Sequence, residues 1–130
     1  TTADKLSPAF PDIIKSLSPL QAKLIKSLVK HDHFADVLYD PKQNTIRHSL
    51  RTNIPYDEFG GVDHHLTLKQ DLEEKKLVAT ISTPLKKDED YQDLQVPEGL
   101  KLVRTTFRLT MFGKWFASAC VQSHQGPSSN

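Results

Sequence analysis

Hydrophobic positions recur at helical spacing near the start of the chain. Phe10, Ile13, Ile14 and Leu17 stand at i, i+3, i+4 and i+7, which predicts a short helix between Leu6 and Leu17. Prolines at 8 and 11 suit only a first turn, so the helix proper is expected to begin near Pro11. Ser18-Pro19-Leu20-Gln21 reads as a second helix start: Ser18 caps, Pro19 takes the first helical position and Gln21 completes a capping box. Leu20, Leu24, Ile25, Leu28 and Val29 then form a broad apolar stripe, with Lys23, Lys26 and Lys30 as a solvated face, and the helix should stop between Lys30 and Asp32.

The pattern weakens in the middle. Phe34, Val37 and Leu38 fit a short helix, Val37-Leu38-Tyr39 fits the start of a strand, and Pro41 ends either. Residues 41–63 look least regular, although Ile46, Leu50 and Ile54 sit four apart and suggest a helix before Pro55. Gly60-Gly61 reads as a turn; it follows no strand and lacks the Lys-Ser/Thr of a phosphate-binding loop. Asp63 or Thr67 is the expected cap of the next helix, with Thr67 and Gln70 as a capping box and Leu68, Leu72, His65 and Leu77 on its apolar face.

Period-two alternation appears late. Leu77-Val-Ala-Thr-Ile-Ser predicts one strand; Leu102 to Leu109 predicts another, in which Val103, Thr105, Phe107 and Leu109 alternate with Arg104, Thr106 and Arg108. Residues 83–100 between them form a long wing. Thr110 caps a closing helix whose apolar face holds Phe112, Trp115, Phe116, Ala119 and Cys120, while Gly113 permits close approach by another element. The expected fold is therefore α+β: a winged-helix-like domain, mainly helical, with a two-stranded β-hairpin wing and a closing C-terminal helix. Residues 1–122 are expected to form a single domain and residues 123–130 a disordered tail. The start at Thr1 suggests a fragment of a longer protein.

Charge redirects the functional reading. The chain has 130 residues with 17 Lys+Arg against 16 Asp+Glu, without the basic surplus that phosphate neutralisation demands of a nucleic-acid binder. Across residues 86–98 two lysines face five carboxylates (Asp88, Glu89, Asp90, Asp93, Glu98), so the wing carries −3. Cations that could still touch nucleic acid are Lys69, Lys75, Lys76, Arg104 and Arg108; the arginines could instead pair with wing carboxylates. The aromatic face of Phe112, Trp115 and Phe116 serves either as core or as a protein-docking surface.

No catalytic constellation stands out, and neither cofactor nor metal is expected: His31-x-His33 alternates faces on a helix and has no third ligand at fixed spacing. The single cysteine reads as a small buried hydrophobe and fits a reducing, cytoplasmic setting. No apolar run reaches the ~18 residues of a membrane span.

Three stretches carry a resemblance: Leu6 to Ile25, the Leu72 to Val78 turn, and Leu109-Thr-Met-Phe-Gly-Lys-Trp-Phe-Ala-Ser-Ala-Cys120. Together they resemble the C-terminal half of the Abi-alpha family, bacterial proteins associated with abortive infection against phage. Where the family usually has Gly-Leu-Ile, this chain has Lys76-Leu77-Val78. The segment from Leu72 through Lys114 also resembles winged-helix transcription factors. The family resemblance implies a part in phage defence and supplies no catalytic residues. The expected function is a non-enzymatic interaction module that binds a protein partner or itself; the alternative is a DNA-binding, transcription-regulator-like winged helix.

Overall fold

The structure, a computed structural model, describes residues 9–87 and 89–122. The chain divides into two compact units: a helical one from residues 1–32, 55–79 and 108–130, and a sheet one from residues 33–54 and 80–107.

The helical unit begins with α1, Phe10–Ser16, and α2, Pro19–Lys30. The expected capping box is formed in full: the Gln21 amide N–H donates to Ser18 Oγ at 3.1 Å, and the Ser18 N–H donates to Gln21 Oε1 at 2.9 Å. Gln21 Nε2 also donates to Asp71 Oδ2 at 2.5 Å, so the same side chain joins α2 to α3, Val62–Glu74. A short 3-10 turn, Tyr56–Phe59, precedes α3. Gly60 and Gly61 have φ of 84° and 101°, and Gly61 is the residue that leads into the helix. The cap thus lies ahead of Asp63 and Thr67; the Thr67 hydroxyl instead donates to the Asp63 carbonyl inside the helix at 3.1 Å. Phe10, Leu24, Ile25, Leu28, Phe59, Leu68, Leu72, Leu77, Leu109 and Phe116 are buried in this unit.

Helix α3 ends in a Schellman turn. The Lys76 N–H donates to the Glu73 carbonyl and the Leu77 N–H to the Leu72 carbonyl, both at 3.0 Å, while Leu72 and Leu77 are both buried. The geometry requires a left-handed residue, and Lys76 supplies it at φ 65°. A side chain there costs about 1 kcal/mol. Lys76→Gly is accordingly expected to raise stability by about 1 kcal/mol, read as the midpoint of urea unfolding.

The sheet unit overturns the mainly helical expectation with its two-stranded hairpin. The described residues form a four-stranded antiparallel sheet in the order β2-β1-β4-β3, from β1 His33–Asp40, β2 Thr45–Thr52, β3 Val78–Pro84 and β4 Lys101–Leu109. The late pair of strands was foreseen; of the first pair, β1 covers Val37-Leu38-Tyr39, read as either a helix or the start of a strand, and β2 lies in the stretch expected to be irregular or helical. Its cause is the Asp40-Pro41 turn. Asp40 Oδ1 accepts the N–H groups of Lys42 and Gln43 at 3.0 and 3.3 Å, and Asn44 takes a left-handed φ of 53°, a short polar loop that reverses the chain. The four-residue spacing of Ile46 and Leu50 therefore belongs to one strand, whose pairing with β1 slips between Asp36 and Val37 and again between Leu38 and Tyr39.

Thr110 caps the closing helix as expected: its Oγ1 accepts the Gly113 N–H at 2.9 Å. This helix, α4, spans Met111–Phe116 and widens into π-helical turns over Ala117–Gln122. Residues 123–130, expected to be a disordered tail, lie outside the described residues, as does the stretch before Ala9.

Candidate functional site

The sheet unit places an ionised group where strands usually place an aliphatic one. Asp36 lies on β1, a central strand, and its relative exposure is 0%. Its cross-strand partners are Arg51 on β2 and Arg104 on β4. Arg104 grips the carboxylate with both ends of its fork, Nε to Oδ1 at 2.7 Å and Nη2 to Oδ2 at 3.0 Å. Arg51 Nε approaches Oδ2 at 3.6 Å. Phe34, two residues back on the same face of β1, lies under both guanidinium groups, 4.6 Å from Arg104 and 5.6 Å from Arg51.

The connection between β3 and β4 completes the cluster. Tyr91 Oη donates to Asp36 Oδ2 at 2.6 Å, Asp90 Oδ2 meets Arg51 Nη1 at 3.2 Å, and the Arg51 guanidinium lies 5.8 Å from the Tyr91 ring. Burial by itself pushes the Asp36 carboxyl up. The hydrogen bonds from Arg104 and Tyr91 and the charges of both arginines outweigh it, and the group titrates below the ordinary 3.8. Burial and the Asp36 carboxylate push the Tyr91 phenol up to about 12, so it remains a donor. The result is a preorganised charged patch on the sheet.

The helical unit carries the predicted aromatic face, and its three rings separate. Phe116 is buried, edge-on to Phe10 at 5.3 Å. Phe112 is half-buried, its ring 5.4 Å from Phe10. Trp115 is 58% exposed and stands one helical turn from Met111, which is 64% exposed. The face is thus divided on α4, with Phe116 in the core and Met111 and Trp115 exposed.

The predicted cations also separate. Lys75 pairs with Asp71 at 2.7 Å and Lys69 with Glu73 at 3.8 Å, each one turn along α3, and Arg104 is committed to Asp36. Lys76 and Arg108 are exposed. A further cleft of about 400 Å³ is lined by Lys23, Lys26, Lys30, His31, Glu58 and Phe59. It lies along the C-terminal part of α2, where the helix dipole favours cations and disfavours an anionic ligand. Lys23 is already held there by Glu58 at 3.6 Å.

Two histidines are buried, His33 against Phe107 and His65 between Tyr56 and Phe59. Burial, assisted by the Lys69 charge, lowers the His65 pKa to about 4, which keeps the ring neutral near pH 7. Cys120 is half-buried and burial raises its pKa, which suppresses the reactive thiolate. Among the described residues no three His, Cys, Asp or Glu side chains gather as metal ligands. No helix among them is long and apolar enough to cross a membrane.

Sequence reasoning missed Asp36, Arg51, Phe34 and Tyr91 as a group. A usable signal was present in Phe34-x-Asp36-x-Leu38, a charge at a position of the strand that faces inward, which obliges a partner elsewhere.

Comparison with known proteins gives one match. The family model described as abortive infection alpha covers residues 1–120. No curated protein and no solved structure matches the chain.

Proposed function

Because the chain belongs to the abortive infection alpha family, we propose that it is a non-enzymatic protein-binding module used in phage defence, and that it docks its partner through the Met111–Trp115 face. The exposed tryptophan beside an exposed methionine carries this reading. Trp and Met are enriched at the centres of protein interfaces, where a large side chain of low entropy cost supplies most of the affinity. Balanced charge points the same way, as does the engagement of Lys69, Lys75 and Arg104 in ion pairs. A DNA surface would need those cations for phosphates.

Light scattering during size exclusion tests the reading with the partner nearest to hand, a second copy. Trp115→Ala is expected to weaken association at least about tenfold while changing folding stability by less than about 0.5 kcal/mol, because an exposed side chain contributes little to the core. Duplex DNA at low salt is the counter-experiment. Micromolar binding that falls steeply with salt, unaffected by Trp115→Ala, would overturn the proposal.

A further inference from the structure

We propose that the Arg51–Arg104–Phe34 face of the sheet is a binding site for an acidic segment bearing an aromatic residue, and that Asp90 and Tyr91 occupy it as a tethered stand-in. The inference rests on reading the chain as a protein-binding module, and it names a second surface and the chemistry of its partner.

The sheet side of the site is built without help from the connection. Arg104 is fixed by its two bonds to Asp36 and by its contact with Phe34, and Arg51 rests on the same ring. Asp36 neutralises one of the two arginines, which leaves one positive charge and a carboxylate oxygen ready to accept a hydrogen bond. Asp90 and Tyr91 meet those demands one for one. The aspartate satisfies Arg51, the phenol donates to Asp36, and the ring packs beside the guanidinium. A carboxylate followed by a phenol is therefore the ligand chemistry that the face selects, and a basic segment would be repelled.

The occupant is well suited to leave. Between β3 and β4 the described residues, 85–87 and 89–100, carry no helix or strand, and the connection is longer than the roughly 12–15 residues beyond which such segments usually serve a function. Its described backbone hydrogen bonds lie at its base, Leu85 to Leu102, and inside local turns, Leu94 to Tyr91 and Leu100 to Pro97. Asp90 and Tyr91 reach the sheet through side chains, to Arg51 and Asp36. The Arg51–Asp90 pair is about half exposed on both sides, where an ion pair holds weakly. An external segment still has to compete with a neighbour held at high effective concentration, so loosening the stand-in should unmask the site.

The probe is a labelled peptide spanning Glu89 to Asp93, titrated into the full chain and into the Asp90→Asn/Tyr91→Phe variant. The variant is expected to bind at least about tenfold more tightly than the unaltered chain, and Arg51→Ala in the variant background should remove that gain. A peptide with lysines in place of its acids should not bind. Hydrogen exchange should rise across residues 85–100 while β1 and β4 stay protected. Should the double variant melt below the assay temperature, Tyr91→Phe alone serves in the same comparison. Unchanged exchange in residues 85–100, no peptide binding to the loosened chain, or binding indifferent to Arg51→Ala would each overturn the proposal. None of these results bears on Trp115, whose test contains no peptide.

Discussion

Arg104→Ala is expected to cost about 3–5 kcal/mol, the usual consequence of stranding a buried charge. The asymmetry between the partners decides the choice of variant. Asp36 has no exposure, whereas a third of the Arg104 side chain reaches water. Removing the arginine therefore leaves the carboxylate shielded from water, with Tyr91 and the looser Arg51 as its remaining support. The pH dependence identifies the mechanism. In the intact protein the Asp36 pKa lies below 3.8, so its contribution is complete above that pH and is lost as pH falls through the lowered value. In the variant, desolvation is poorly opposed and the pKa is expected to rise above 3.8. The folded state then prefers the protonated acid, and the variant loses stability as pH rises. The gap between the two proteins should narrow toward pH 4 and widen toward pH 7. A gap that does not change with pH would mean that lost packing, rather than a stranded charge, carries the cost.

Gly113→Ala is expected to destabilise the helical unit by about 3 kcal/mol, the upper end for overpacking into rigid neighbours. A methyl group on Gly113 would overlap the carbonyl oxygen of Leu77 and press on Leu109 Cδ2 at 3.3 Å. Neither neighbour can give way easily. The Leu77 carbonyl accepts the Thr110 N–H at 3.0 Å, and the Thr110 hydroxyl donates to the Lys76 carbonyl at 2.6 Å. The end of α3 and the start of α4 are thus clamped backbone to backbone. The backbone φ of Gly113 is not in the left-handed region, so only space demands glycine here. Thermal melting of Gly113→Ala checks this directly. A melting temperature within a degree or two of the parent would show that the clamp yields.

The same clamp shows what could be read in advance. Thr110 as a cap, the Ser18–Gln21 box and the end of α3 near Lys76 are all local features. Each follows from residues within a few positions of one another, where propensity and capping chemistry act. Gly113 signalled a close approach without revealing its partner, Leu77, which is distant in sequence. The β1–β2 hairpin was hidden for a different reason. Two register slips disturb the alternation of the strands, and Ile46 and Leu50 happen to sit at the helical spacing. The Asp40-Pro41 turn was the better signal, and it was read only as a stop. The Asp36 cluster was illegible because its members come from residues 34, 36, 51, 90, 91 and 104. Strand register brings Asp36, Arg51 and Arg104 together and the β3–β4 connection adds Asp90 and Tyr91, both properties of the folded sheet unit. Arg104 was read as a cation for nucleic acid or, instead, for acids of the wing. It pairs with the neighbouring strand, and Arg51 takes the acid from the wing.

The helical unit is assembled from three stretches of chain that translation delivers far apart. The apolar stripe of α2, with Leu24, Ile25 and Leu28, leaves the ribosome well before Phe116, which fills the same unit. At ~5–20 residues per second, the roughly 90 residues between Leu28 and Phe116 take on the order of 5–20 s to synthesise. During that interval α2 exposes a face that water disfavours and that no native neighbour can yet complete. A chain stopped before α4 would lack Phe116 and leave the core of this unit incomplete.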